Sequence, residues 1–70
     1  MQFVINGQPR EFADLAASAT VGDLVAALDL KGDRVAIEHN GSIVSRAEWA
    51  ETPVHAGDKF EIVHFVGGGA

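Results

Sequence analysis

The chain has 70 residues, 47% of them apolar and 21% charged, with ten acidic residues against five basic ones, a net charge of −5, and no cysteine. A chain this short forms one domain that buries about 60% of the surface its unfolded form exposes, which leaves little room for an enclosed catalytic cleft. The negative charge opposes binding to nucleic-acid phosphates and anionic lipid headgroups, the apolar runs are too short to cross a bilayer, and disulfides, thiolate metal ligands and a cysteine nucleophile are all excluded.

Met1 leads straight into Gln2-Phe3-Val4-Ile5 without a basic and apolar leader, so the chain is expected in the reducing cytoplasm. Met1, Phe3 and Ile5 alternate with Gln2 and Val4 as in a strand, and Asn6-Gly7 suits a tight turn with positive φ at both central residues. Gln8 to Phe12 is the returning strand, placed at a sheet edge by Pro9, which has no N–H to donate. The period then changes. Val21, Leu24, Val25 and Leu28 fall on one stripe of a helix predicted over about residues 21 to 30, capped by Thr20 with Asp23 in its first turn, and Gly32 serves as the stop.

Val35 and Ile37 alternate with Ala36 and Glu38, and a second Asn-Gly pair, Asn40-Gly41, turns the chain into Ser42-Ile43-Val44. Ser45-Arg46-Ala47-Glu48 has the form of a capping box, predicting a short helical turn that carries Trp49 as a packing anchor before Pro53. Ala56-Gly57-Asp58 launches a last strand from Lys59 to Val66 that stops at the glycines. One helix covers one face of a four- or five-stranded sheet, so the fold class is α+β with a face this chain does not cover. With Phe60 and Ile62 turned to the helix, Val63 and Phe65 join Val4 as candidates for an exposed apolar patch, unless loops cover them.

Residues that do chemistry are scarce. His39, His55 and His64 match no metal-ligand spacing and are expected as satisfied surface side chains, so no metal site is predicted. Ser18, Ser42 and Ser45 lie in no nucleophile motif, and Glu48 and Glu51 sit on a polar surface with nothing to retune them. What remains is Gly67-Gly68-Gly69-Ala70, whose glycines have no side chains to pack. We therefore divide the chain into a domain over 1–66 and a flexible C-terminal glycine tail over 67–70. Fully extended, that tail reaches roughly 13 Å at about 3.3 Å per residue, and its glycines suit a channel too narrow for any Cβ.

Taken in order, Asn6-Gly7, Thr20-Val21-x-Asp23-Leu24, Val35-Ala36-Ile37, Asn40-Gly41-x-Ile43-Val44, Arg46, Trp49, Gly57-Asp58, Glu61-Ile62-Val63 and Gly67-Gly68 resemble the ThiS family of sulfur carrier proteins across essentially the whole chain. The resemblance implies a β-grasp, ubiquitin-like fold in which the first and last strands pair in parallel at the sheet centre. It also implies a function in thiamin biosynthesis. A ThiF-like adenylating enzyme consumes ATP to convert the C-terminal glycine carboxylate to an acyl-adenylate, a sulfur donor protein turns this into a thiocarboxylate, and the sulfur passes to a ThiG-like thiazole synthase. The chain itself is then no enzyme and binds no cofactor; it is a protein co-substrate.

Family members end on a glycine pair, whereas here three glycines precede Ala70. Gly69, exposed by a peptidase that removes Ala70, is the expected thiocarboxylate site, with Gly68 as the alternative and Gly67 as part of the tail. Val63, Phe65 and Val66 are the expected partner-docking residues. Two other functions compete: sulfur carriage for molybdopterin, cysteine or another pathway, and a non-catalytic β-grasp binding module whose glycines are only an end.

Overall fold

A computed structural model describes residues 1–65; the glycine tail and Val66 lie outside the described residues. The elements are β1 (Gln2–Ile5), β2 (Gln8–Glu11), α1 (Val21–Ala27), a 3-10 turn (Gly32–Arg34), β3 (Val35–His39), β4 (Ser42–Val44), a second 3-10 turn (Arg46–Glu51) and β5 (Lys59–His64). Their order is the predicted one, with the Gly32–Arg34 turn added. The strands form one sheet in the order β2-β1-β5-β3-β4. β1 and β5 run parallel at its centre, with Val4 opposite Lys59 and Ile5 opposite Phe60, as the resemblance implies; the other neighbours are antiparallel.

Alternation along each strand sends Phe3, Ile5, Val35, Ile37, Phe60 and Ile62 to one face, where they are buried with Val21, Leu24 and Val25 of the helix. Phe3 and Phe60 meet edge to face with ring centroids 5.3 Å apart. Trp49 closes one end of this core and donates its indole N–H to the Val44 carbonyl at 3.0 Å, so the predicted anchor is in place. A core this small is sensitive to voids: truncating fully buried Leu24 to alanine is expected to cost about 2–5 kcal/mol.

The helix starts as predicted, with a complete capping box: the Asp23 N–H donates to Thr20 Oγ1 and the Thr20 N–H to Asp23 Oδ2. It ends earlier than predicted. Ala27 is its last residue, and Asp29 takes φ 55, which lets the Asp29 N–H reach the Ala26 carbonyl and the Leu30 N–H reach the Val25 carbonyl. This is the left-handed stop that Gly32 was expected to make. Gly32 instead serves close packing, since a Cβ there would lie 3.2 Å from the Trp49 ring.

Ser45-to-Glu48 also differs from expectation. The Ser45 hydroxyl donates to the Glu48 carboxylate at 3.0 Å and makes no cap to the backbone, so a 3-10 turn forms without a capping box. β5 is assigned to His64 rather than Val66, although the Phe65 N–H still reaches the Arg34 carbonyl at 2.7 Å. Among the described residues, no helix is long and apolar enough to cross a membrane.

Candidate docking face and carrier tail

The sheet face opposite the helix carries the side chains between the buried ones. On it the ladder places Ala36 beside Val63, Glu38 beside Glu61, and Ile43 beside Glu38. Ile43 is 79% exposed, Val63 56% and Phe65 56%, which makes them the large exposed hydrophobics among the described residues. Ile43 and Val63 line one shallow depression with Ala36, Glu38 and Glu61. Val4 is half-buried and does not join them.

Of the predicted docking residues, Val63 and Phe65 are therefore presented to solvent, and Val66 lies outside the described residues. Ile43 was missed. Its signal was the three-residue segment Ser42-Ile43-Val44, but that segment is too short to show by alternation which face Ile43 takes; the register with β3 decides it. Glu38 and Glu61 sit directly opposite each other, a like-charge pair that costs stability and colours this apolar face acidic.

At the far end of the same two strands, Asp58 ties the turns together. Its carboxylate lies 2.7 Å from His39 Nε2 and accepts from the His55 N–H at 2.8 Å and from Asn40 Nδ2 at 3.2 Å. Burial pushes the Asp58 carboxyl up, but the hydrogen bonds from His39, the His55 backbone and Asn40, together with the charge of His39, outweigh it and hold the group below its ordinary value. His39 also stacks on Phe60, with centroids 4.8 Å apart and planes 9° from parallel. It is thus half-buried structure rather than the surface side chain expected, because the β3–β5 register sets it directly opposite Phe60; His55 and His64 are exposed as expected.

Both Asn-Gly turns do more than reverse the chain. Asn6 accepts the Ile62 N–H at 2.7 Å and donates to the Ile62 carbonyl at 3.2 Å, and Asn40 accepts the Lys59 N–H at 2.9 Å. Each amide stands in for a strand residue at the edge of β5. Among the described residues, no group of three or more His, Cys, Asp or Glu side chains is placed to hold a metal ion. The tail expected to carry the chemistry, Gly67, Gly68 and Gly69, begins two residues beyond Phe65, outside the described residues.

Comparison with known proteins agrees with the sequence pattern. The ThiS family model matches residues 3–69. A thiazole synthase of Paramagnetospirillum magneticum is 44% identical over 70 residues, 100% of this chain but 21% of that protein, so the chain spans about a fifth of this relative's length. The sulfur carrier protein ThiS of Bacillus subtilis is 38% identical over 52 residues, 74% of this chain and 79% of that one. The crystal structure of the thiamine biosynthesis protein ThiS from Geobacter metallireducens superposes with a TM-score of 0.81 at 36% identity, over 99% of this chain and 100% of that one.

Proposed function

The chain belongs to the ThiS family, and from that premise we propose that it is a sulfur carrier of thiamin biosynthesis whose working group is the carboxylate of Gly69. The observation that carries this reading is the reach of the family match, which runs through the glycines and ends at residue 69, leaving Ala70 outside it. Removal of Ala70 by a peptidase then exposes the reactive end. Residues 67–70 form the carrier tail, and residues 1–66 the domain that presents it.

A free carboxylate is a poor electrophile, so sulfur enters only after activation. A ThiF-like enzyme transfers the adenylyl group of ATP to the glycine carboxylate with loss of pyrophosphate; a sulfur donor protein then supplies sulfur at the acyl carbon, and AMP leaves. The thiocarboxylate is a good sulfur nucleophile for a thiazole synthase. Similarity of the whole chain to about a fifth of a thiazole synthase supports that destination. The carrier contributes the carboxylate and a docking face and is a co-substrate rather than an enzyme, working in the cytoplasm where ATP is supplied.

Val63 and Phe65 form the docking face at the root of the tail, joined by Ile43 across the sheet; Val66, the next residue in sequence, is proposed as part of it and lies outside the described residues. A few exposed apolar side chains suit the weak, reversible contacts of a carrier that must visit several enzymes. Intact-mass analysis tests the chemistry. After incubation of the Gly69-ended chain with the adenylating enzyme, ATP and a sulfur source, one carboxylate oxygen should be replaced by sulfur. An unchanged mass, with a known carrier converted in parallel, counts against sulfur carriage and leaves the β-grasp binding module.

A further inference from the structure

β5 is a central strand, yet one stretch of its length has a neighbour on one side only. Toward β3 it is paired from end to end, from the Asn40 N–H on the Lys59 carbonyl to the Phe65 N–H on the Arg34 carbonyl. Those bonds use the odd-numbered residues of β5. The even-numbered residues face β1, as Phe60 and Ile62 do: the Asn6 N–H donates to the Phe60 carbonyl at 2.9 Å, and the Asn6 side chain holds both backbone groups of Ile62. There β1 turns away. By the same alternation the N–H and C=O of His64 point into the place β1 has left, and among the described residues neither has a partner.

The two outer edges of the sheet are guarded in ways this stretch is not. β2 carries Pro9 together with charged Arg10 and Glu11, and β4 is only three residues long. The His64 side chain itself helps to line a groove with apolar Ile5, Leu28, Leu30 and Ile62, together with polar Asn6 and Arg10. Unpaired main-chain groups next to an apolar groove are what strand addition uses, with the backbone supplying affinity and alternate side chains supplying specificity.

We propose that the edge of β5 at His64 accepts an extended segment of the adenylating enzyme, which continues the sheet where β1 stops. The segment exchanges hydrogen bonds with the His64 backbone and lowers an apolar side chain into the groove, where Arg10 favours a neighbouring acidic residue. The position argues for the occupant: Gly67 follows His64 by three residues, a span of at most about 10 Å, so an enzyme that draws in the tail comes within reach of this edge. The inference rests on the carrier reading above and deepens it by naming how the partner grips the root of the tail.

His64→Pro tests it, because proline removes an N–H with no partner among the described residues and is tolerated where a strand's N–H faces outward. His64→Ala removes the imidazole and keeps the N–H. Both should melt close to the wild type, followed by the fluorescence of buried Trp49. In titrations with the adenylating enzyme, His64→Pro should bind about five- to tenfold more weakly, the effect of one lost neutral hydrogen bond, and His64→Ala, which trims one lining side chain of the groove but keeps the N–H, should bind within about twofold of the wild type. Equal binding by His64→Pro, or equal weakening by His64→Ala, overturns the proposal.

If His64→Pro does not fold, amide exchange of the wild type decides the matter: the His64 N–H should exchange freely in the isolated carrier and be protected at least about tenfold in the complex, and lack of protection overturns it. The same wild-type sample is assayed for thiocarboxylate by intact mass. Conversion with an unprotected His64 removes the edge proposal alone, whereas no binding and no conversion removes the carrier reading and this inference with it.

Discussion

Asn6 offers the sharpest test of how the sheet is held, because its turn conformation and its side-chain clasp can be separated. Asn6 sits at φ 50, and its amide makes two hydrogen bonds to the backbone of Ile62 across 56 residues of sequence. Asn6→Gly keeps a residue at ease with positive φ and removes only the clasp. Each bond contributes about 0.5–1.5 kcal/mol net, so their loss costs about 1–3 kcal/mol. Glycine's added freedom in the unfolded chain costs about 0.4–1 kcal/mol more, and relief of the asparagine's left-handed backbone offsets a similar amount. The expected loss is about 2 kcal/mol, which for a domain of this size lowers Tm by about 8–16 °C. Asn6→Ala should fall further, since it adds a Cβ at positive φ without the amide. Trp49, the single tryptophan and buried, reports unfolding by heat or urea. An Asn6→Gly midpoint equal to the wild type would refute the claim that the amide stands in for a strand.

The folded-state pKa of Asp58 lies below its unfolded value, so the group contributes stability above about pH 3.9 and loses it as pH falls through the lower folded value; urea midpoints against pH should flatten in this acid range for Asp58→Asn. Ile43→Ala and Phe65→Ala remove exposed side chains and should leave stability within about 0.5 kcal/mol, yet each should weaken binding of the adenylating enzyme, and calorimetric titration showing wild-type affinity for both would remove them from the docking face. Glu61→Lys replaces the like-charge pair with Glu38 by an opposite-charge one. It should raise the urea midpoint by the equivalent of about 0.2–1 kcal/mol, an effect that shrinks in high salt.

The elements were legible where local chemistry is decisive. Two Asn-Gly pairs marked both hairpins, and the spacing of Val21, Leu24 and Val25 marked the helix with its Thr20 start. The misreadings have a common cause, which is that long-range partners reassign a local signal. Gly32 resembles a helix stop, but it packs close to the Trp49 ring, and Asp29 takes the left-handed turn instead. Ser45 and Glu48 have capping-box spacing, but the Ser45 hydroxyl bonds to the carboxylate. His39 has no ligand spacing, and nothing local shows that the pairing of β3 with β5 will lay it on Phe60 beside Asp58. The proposed docking face was half legible: alternation along β5 exposed Val63 and Phe65, while the exposure of Ile43 depended on a register that three residues cannot specify.

β5 therefore joins fold to function. It buries Phe60 and Ile62 on one face, presents Val63 on the other, and leads through Phe65, held to the Arg34 carbonyl, toward the glycines. A root fixed in the centre of the sheet makes tail length a ruler. From Phe65 to Gly69 is four residues, at most about 13 Å when extended, so an enzyme docked on Val63 and Phe65 must keep its nucleotide within that distance. One extra glycine between Gly67 and Gly68 shifts the carboxylate by up to about 3.3 Å without touching the docking face. A misplacement of about 1 Å at a reacting centre can cost about 100-fold in rate, so the insertion should leave affinity for the adenylating enzyme unchanged while adenylation slows by about 100-fold or more. Pyrophosphate release measured at saturating carrier separates the two effects. A wild-type rate would mean that the enzyme does not measure the tail from the docking face, and the fixed root would then have no part in positioning the carboxylate.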